Sequence, residues 1–91
     1  MLFRSEENAT NGDKNSAFKL YQYHMFVSLD QDLEFKWLEI AAKNGHPIAQ
    51  SNLADLFFTQ GNKEKAIFWA KKAYRNGAKL PDELKILVNI N

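Results

Sequence analysis

Two histidines and two closely spaced aspartates are the side chains of this 91-residue chain with the clearest potential for proton transfer or metal binding. They are His24, His46, Asp30 and Asp32. The chain contains no cysteine, which excludes disulfides, thiol catalysis and cysteine-ligated metal sites. A protein metal site needs three or four ligands, and two histidines far apart in the chain do not supply them. The sequence therefore does not favour a metal centre.

The same side chains have structural interpretations. Asp30 and Asp32 precede Leu33, where a helical pattern begins, and negative charge stabilises the N-terminus of a helix. His46 directly follows Gly45, at the expected end of a helix. A Ser-His-Asp arrangement stays open because its members meet in space rather than in sequence. The chain has no nucleophile-elbow motif and no glycine-rich phosphate loop, so we expect neither catalysis nor a cofactor.

Composition and charge narrow the class of protein. Hydrophobic residues make up 45% and charged residues 25% of the chain, as in ordinary folded domains. Residues 1–45 carry five basic and seven acidic side chains. Residues 46–91 carry seven basic and four acidic side chains, so the net charge of the whole chain is only +1. A nucleic-acid-binding domain of this size is usually more basic. No signal peptide or apolar span of about 20 residues is evident, so we expect a cytoplasmic protein.

An internal repeat is the strongest pattern in the sequence. The dipeptide Asn-Gly occurs at residues 11–12, 44–45 and 76–77, with spacings of 33 and 32. A shift of 32 residues also places Trp37 on Trp69. Glycine commonly ends a helix in the left-handed conformation, and a period of about 33 residues is typical of helical repeat proteins.

The spacing of apolar residues between these glycines is helical. In the second repeat, three- and four-residue steps join Ala49, Leu53, Leu56 and Phe57, as on one helix face. The pattern predicts an all-α fold, a single helical-repeat domain over residues 1–91 in the form of a short right-handed α-solenoid of antiparallel helix pairs. The predicted segments are an N-terminal capping helix in 1–12, repeat 1 in 13–45, repeat 2 in 46–77 and a C-terminal capping helix in 78–91. The six predicted helices cover residues 2–10, 15–28, 31–44, 47–60, 63–76 and 81–89.

Two segments carry a resemblance to a known family. Residues 41–54, AAKNGHPIAQSNLA, resemble the junction between Sel-one-like repeats, which reads Ala-Ala-x-x-Gly-His-x-x-Ala-Gln-x-x-Leu-Gly. Residues 65–73, KAIFWAKKA, resemble the second helix of that repeat. The loop at residues 60–62 is shorter than in that family and closer to a tetratricopeptide repeat, and Leu29-Asp30 stands where the turn glycine is usual. The resemblance implies a superhelix of helix pairs in a protein that acts as an adaptor or scaffold.

In such repeats the first helix of each pair lines a concave binding face, which gives six candidate partner-binding residues. Repeat 1 contributes Lys19, Tyr23 and Phe26, and repeat 2 contributes Ser51, Asp55 and Phe58. Aromatic side chains are typical anchors of protein interfaces. The alternative is that the two phenylalanines belong to the core. A secondary basic face is formed by Lys65, Lys72 and Lys79, for which an ordinary solvated helix surface is the alternative.

The sequence predicts a monomeric, non-catalytic protein–protein interaction module. Its small size suits a dedicated binder, such as a bacterial immunity protein that neutralises a cognate toxin, or an adaptor. A partner that is another protein is expected, and nucleic acid or membrane is not. The alternatives are a fragment or structural unit of a longer repeat scaffold, and an uncharacterised enzyme.

Overall fold

Helices form all the regular structure in the part of the chain that the computed structural model describes, residues 13–89. A π-helical turn, His24–Ser28, continues the first helix, and no strand occurs within this range. The predicted all-α class is confirmed, whereas the predicted helix at 2–10 lies outside the described residues. The five helices are α1 (Lys14–Tyr23), α2 (Gln31–Lys43), α3 (Pro47–Thr59), α4 (Lys63–Arg75) and α5 (Asp82–Leu87).

Polar side chains fix where three of the helices begin. The Asp13 carboxylate accepts the backbone N–H groups of Asn15 and Ser16 at 3.0 and 3.1 Å, which caps α1. Asp30 caps α2 by accepting the N–H of Leu33 at 3.1 Å, and an asparagine at position 62 caps α4 in the same way. These bonds satisfy amide groups that have no partner inside the helix. The interpretation of Asp30 and Asp32 as negative charge at a helix N-terminus is confirmed, and the structure adds that Asp30 is the capping residue.

Glycines end α2 and α3, and the first of them belongs to the Asn-Gly pattern of the sequence. Gly45 has φ of +97° and follows α2, where the next amide, that of His46, donates to the carbonyl of Ala41 at 3.0 Å. Gly61, at φ +83°, ends α3 with the same hydrogen-bond pattern. A residue with a Cβ is strained at these dihedral angles, whereas glycine adopts them freely. The bonds form the Schellman motif, which satisfies carbonyl groups at a helix C-terminus.

The described residues belong to two compact units, with the boundary between His46 and Pro47. In the first unit, α1 packs against α2. Ala17 and Ala41 are completely buried, which lets the backbones of the two helices approach closely, and larger side chains fill the remaining space. The buried apolar side chains are those of Ala17, Leu20, Tyr21, Trp37, Leu38, Ala41 and Ala42.

In the second unit, α3 packs against α4, and α5 contacts α4. A side-chain hydrogen bond joins α3 to the residue that caps the C-terminus of α4, because the Asn76 amide donates to the Gln50 carbonyl at 2.9 Å. Gln50 is buried, so this bond satisfies a polar group that would otherwise destabilise the core. The buried apolar side chains of the unit are Ala49, Leu53, Ala54, Phe57, Ala66, Trp69, Ala70, Ala73, Leu80 and Leu84.

Candidate functional site

The first helix does not end as a regular α-helix. After Tyr23 the chain continues as a π-helical turn from His24 to Ser28. Nδ1 of His24 and Oγ of Ser28 share a hydrogen bond of 2.7 Å, and the Tyr23 ring lies edge-on to the imidazole at 5.2 Å. His24 is only 7% exposed, so the bond satisfies a buried polar group. Short π-helical segments are rare and often occur at functional sites.

The residue after this turn has an uncommon backbone conformation. Leu29 has φ of +56° and ψ of 28°, in the left-handed region. The position 32 residues later in the repeat is Gly61, which has φ of +83°. A side chain in this region costs about 1–2 kcal/mol relative to the right-handed conformation. Leu29 is 71% exposed, so burial of its side chain does not offset this cost. Local strain of this kind is concentrated at functional sites.

Four exposed side chains lie in the turn or directly beside it, and we call them the first-unit tip: Tyr23, Phe26, Val27 and Leu29. Phe26 is 71% and Val27 is 65% exposed, and Tyr23 is 40% exposed. They fall within seven consecutive residues, which concentrates apolar surface at one end of the helix pair. Single exposed apolar residues are common, but several together are typical of an interaction site.

The first-unit tip contains two of the predicted partner-binding residues, Tyr23 and Phe26. The alternative that Phe26 belongs to the core is wrong, because most of its side chain is exposed. Lys19 is also exposed. Val27 and Leu29 were not among the residues that the sequence pattern predicted for the site. The signal for Leu29 was its place in the repeat, since it occupies the position of a glycine.

The predicted binding residues of the second unit are less accessible. Ser51 is 8% exposed, so its side chain offers little surface to a partner. Asp55 and Phe58 are half-buried on α3. A concave face shared by the two sets of residues stays a prediction.

Two lysines of the predicted basic face lie over aromatic rings. Nζ of Lys65 is 5.3 Å from the centre of the Phe57 ring. Nζ of Lys72 is 5.0 Å from the centre of the Phe68 ring and 5.6 Å from that of Trp69. These distances fit cation–π interactions. Phe68 is 51% exposed and was not recognised in the sequence, although it lies three residues after Lys65 and four before Lys72.

The third member of that face, Lys79, is exposed in the segment between α4 and α5.

Among residues 13–89, no three acidic or histidine side chains are grouped in a way that could hold a metal ion. Within the same range no helix has the length and apolar character needed to cross a membrane.

The second histidine has a structural environment in the first unit. The imidazole of His46 stacks on the Phe18 ring, with 4.1 Å between centres and an angle of 13° between planes. Burial, and to a smaller extent the positive charge of Lys14, lowers the pKa of His46 below its ordinary value. The pKa of Asp13 is also lowered, first by the backbone N–H and hydroxyl of Ser16, which bind its carboxylate.

We expect acidification to destabilise the first unit in two pH ranges. His46 binds a proton less readily in the folded chain than in the unfolded chain. Its contribution to the free energy of unfolding is therefore complete above about pH 6.5 and is lost as the pH falls through the folded pKa. The contribution of Asp13 is complete above about pH 3.8 and is lost below it in the same way. Urea denaturation across the pH range measures both effects.

Two variants separate these effects from other titrating groups. The difference in unfolding free energy between the wild type and His46→Gln is expected to change as the pH falls below about 6.5, the upper range. The difference between the wild type and Asp13→Asn is expected to change below about pH 3.8, the lower range. A constant difference between the wild type and His46→Gln from neutral pH to pH 5 contradicts the assignment of the upper range to His46.

Comparison with known proteins identifies a similar protein, but that protein has no known activity. The chain is 31% identical over 83 residues to YibG, an uncharacterised protein of Escherichia coli (strain K12). The match covers 84% of this chain and 54% of YibG, so the chain spans about half the length of this curated relative. No protein-family profile matches the chain, and no solved structure is significantly similar to it.

Proposed function

We propose that this chain is a non-catalytic protein–protein interaction module that binds its partner through the first-unit tip. The observation that carries the proposal is the exposure of Phe26 and Leu29 on a backbone that combines a π-helical turn with a strained left-handed residue. Phe26 and Leu29 leave most of their apolar side chains uncovered in the first unit. Their exposure is explained if a partner covers them.

The geometry of the tip suits an anchor for a partner. Interface energy is concentrated in a few large side chains that enter pockets of the other protein, and aromatic side chains are prominent among them. The bond between His24 and Ser28 restrains the turn before any partner arrives. A restrained site loses less conformational entropy on binding than a mobile loop.

The proposal extends to the other predicted binding residues. Lys19 lies on α1 before the tip, and Asp55 and Phe58 retain partial exposure on α3. In a right-handed superhelix of Sel-one-like or tetratricopeptide-like repeats, they would enlarge the binding surface. The narrower hypothesis is a small cytoplasmic binder, such as a bacterial immunity protein or an adaptor.

A second candidate function is a structural unit of a longer repeat scaffold. The recurrence of Asn-Gly at residues 11–12, 44–45 and 76–77 favours this alternative, because such a period is typical of repeat arrays. A scaffold unit uses its apolar surface to bind neighbouring repeats rather than a separate partner. Light scattering distinguishes the two functions, since a scaffold unit is expected to self-associate and a dedicated binder to remain monomeric.

Capture from native lysate with matched variants tests the main proposal. The tagged wild-type chain is compared with Phe26→Ser and with Ile86→Ser, which changes a side chain that is 76% exposed on α5. We expect one stoichiometric partner, weakened about tenfold or more by Phe26→Ser and retained by Ile86→Ser. Circular dichroism establishes that both variants fold. A partner retained equally by the two variants contradicts binding through the tip.

The variant Leu29→Gly is expected to be more stable than the wild type and to bind its partner less well. Removing the side chain relieves about 1–2 kcal/mol of left-handed strain, and the greater freedom of glycine in the unfolded chain offsets about 0.5–1 kcal/mol of this gain. Thermal denaturation measures the gain, and titration with the captured partner measures the weaker binding. Unchanged affinity would show that Leu29 is not part of the interface.

A further inference from the structure

The exposed side of α4 carries an unusual excess of positive charge. Its thirteen residues include five basic side chains and one acidic side chain, Glu64. Lys65, Phe68, Lys72 and Arg75 follow one another at steps of three and four, so they share one side of the helix. The buried residues of α4 are Ala66, Trp69, Ala70 and Ala73, which form the side that faces the core. We call the four exposed residues the α4 stripe.

The charges of the α4 stripe are not neutralised within the described part of the chain. The salt bridge found there joins Lys43 to Glu39 on α2, and none involves α4. Lys72 lies over the rings of Phe68 and Trp69, which restrains its ammonium group without neutralising its charge. Phe68 is 51% exposed between Lys65 and Lys72. The helix therefore presents an apolar ring flanked by cations along its axis.

We propose that the α4 stripe binds an acidic segment of another protein. Carboxylates of that segment pair with Lys65, Lys72 and Arg75, and one of its apolar side chains packs on the exposed face of Phe68. The stripe spans about 15 Å along the helix, since each helical residue advances about 1.5 Å. An acidic helix of about three turns, or a short extended segment, has this length. Lys79 lies exposed beyond the end of α4 and extends the positive surface.

The charge distribution favours a protein partner over a nucleic acid. The whole chain has a net charge of only +1, and residues 1–45 are net negative. Extended phosphate backbones are usually bound by broader basic surfaces than a single helix side. Acidic side chains at helical spacing match a stripe of this width. The inference does not depend on the first-unit tip, which lies on other elements.

The test is an NMR titration of the full chain, labelled with 15N, at low ionic strength. The probe is a short peptide with glutamates at steps of three and four around one leucine, and its control has glutamine in place of every glutamate. We expect saturable shifts that are concentrated in α4 and a fall in affinity as salt is added. The control peptide is expected to bind at least about tenfold more weakly, because the attraction is between charges.

Two double variants make the test specific for the stripe. Lys65→Gln/Lys72→Gln is expected to weaken peptide binding about five- to tenfold, since each exposed ion pair contributes up to about 1 kcal/mol. Lys63→Gln/Lys71→Gln removes the same charge from the same helix outside the stripe and is expected to change affinity less than about twofold. Phe68→Ser is expected to weaken binding, and Phe26→Ser is expected to leave it unchanged, which separates this test from that of the tip.

Three outcomes overturn the proposal. Equal losses in the two double variants would show diffuse attraction to the net charge of α4. Tighter binding of an oligothymidylate of equal charge would assign the surface to nucleic acid. Absence of saturable shifts at millimolar peptide would show that the stripe is only a solvated helix surface. Circular dichroism and thermal denaturation of each variant exclude misfolding as the cause of a loss.

Discussion

Replacement of Trp37 by alanine is expected to lower the free energy of unfolding by about 3–5 kcal/mol, because it leaves a large cavity in the first unit. Trp37 is 2% exposed on α2, which packs against α1. The variant Trp37→Phe keeps most of the ring volume and is expected to lose less. Urea denaturation followed by circular dichroism measures both losses, and similar values for the two variants would contradict a filled cavity as the source of stability.

The same variant tests whether the two units unfold together. The chain has two tryptophans, so Trp37→Ala leaves Trp69 as a fluorescence reporter of the second unit. In a repeat array, each unit is stabilised by its neighbour, and loss of one unit weakens the next. The proposed solenoid therefore predicts that the Trp69 fluorescence transition shifts together with the circular dichroism transition. A Trp69 transition with the same midpoint in Trp37→Ala as in Trp37→Phe, where Trp69 is again the sole tryptophan, would show independent units and contradict the array.

The ends of the helices could be predicted from the sequence because local hydrogen bonds determine them. The predicted helix at 31–44 is Gln31–Lys43 in the structure, and the one at 63–76 is Lys63–Arg75. Asp30 begins the first of these, and Gly45 follows its end. A capping carboxylate and a left-handed glycine act within a few residues, so their sequence spacing carries the information.

The π-helical turn could not be predicted in the same way. A histidine and a serine four residues apart can share a hydrogen bond on a regular α-helix too, so the spacing of His24 and Ser28 does not reveal a π turn. The sequence predicts an unbroken helix over 15–28, whereas α1 ends at Tyr23 and the turn follows. Leu29 in place of a repeat glycine was the only local sign, and its backbone conformation depends on the surrounding fold.

Exposure of the candidate site residues was predicted only in part. Helical spacing places Lys19, Tyr23 and Phe26 on one side of the first helix, but the π turn changes the direction of the side chains that follow it. In the second unit the same spacing selects Ser51, which is 8% exposed. Periodicity identifies residues that share a helix side, whereas the packing of neighbouring helices decides which side is covered.

Replacement of His24 by alanine is expected to lower the free energy of unfolding by about 2 kcal/mol. The change leaves a cavity where the buried ring stood and removes its hydrogen bond, which contributes about 0.5–1.5 kcal/mol. Gln22→Ala, which changes an exposed side chain of α1, is expected to have little effect and serves as the control. Thermal and urea denaturation measure the difference.

A double-mutant cycle with Ser28→Ala shows whether the hydrogen bond itself holds the π turn. Directly interacting side chains have coupling energies of about 0.5–3 kcal/mol, so the double variant is expected to be more stable than the sum of the two single losses predicts. If the bond restrains the turn, the amide of Val27 should exchange with solvent faster in either single variant, while amides of α4 keep their rates. Additive losses with unchanged exchange at Val27 would show that the 2.7 Å contact between His24 and Ser28 does not determine the geometry of the first-unit tip. Leu29 and the packing of the Tyr23 ring would then be the elements that hold Phe26 exposed.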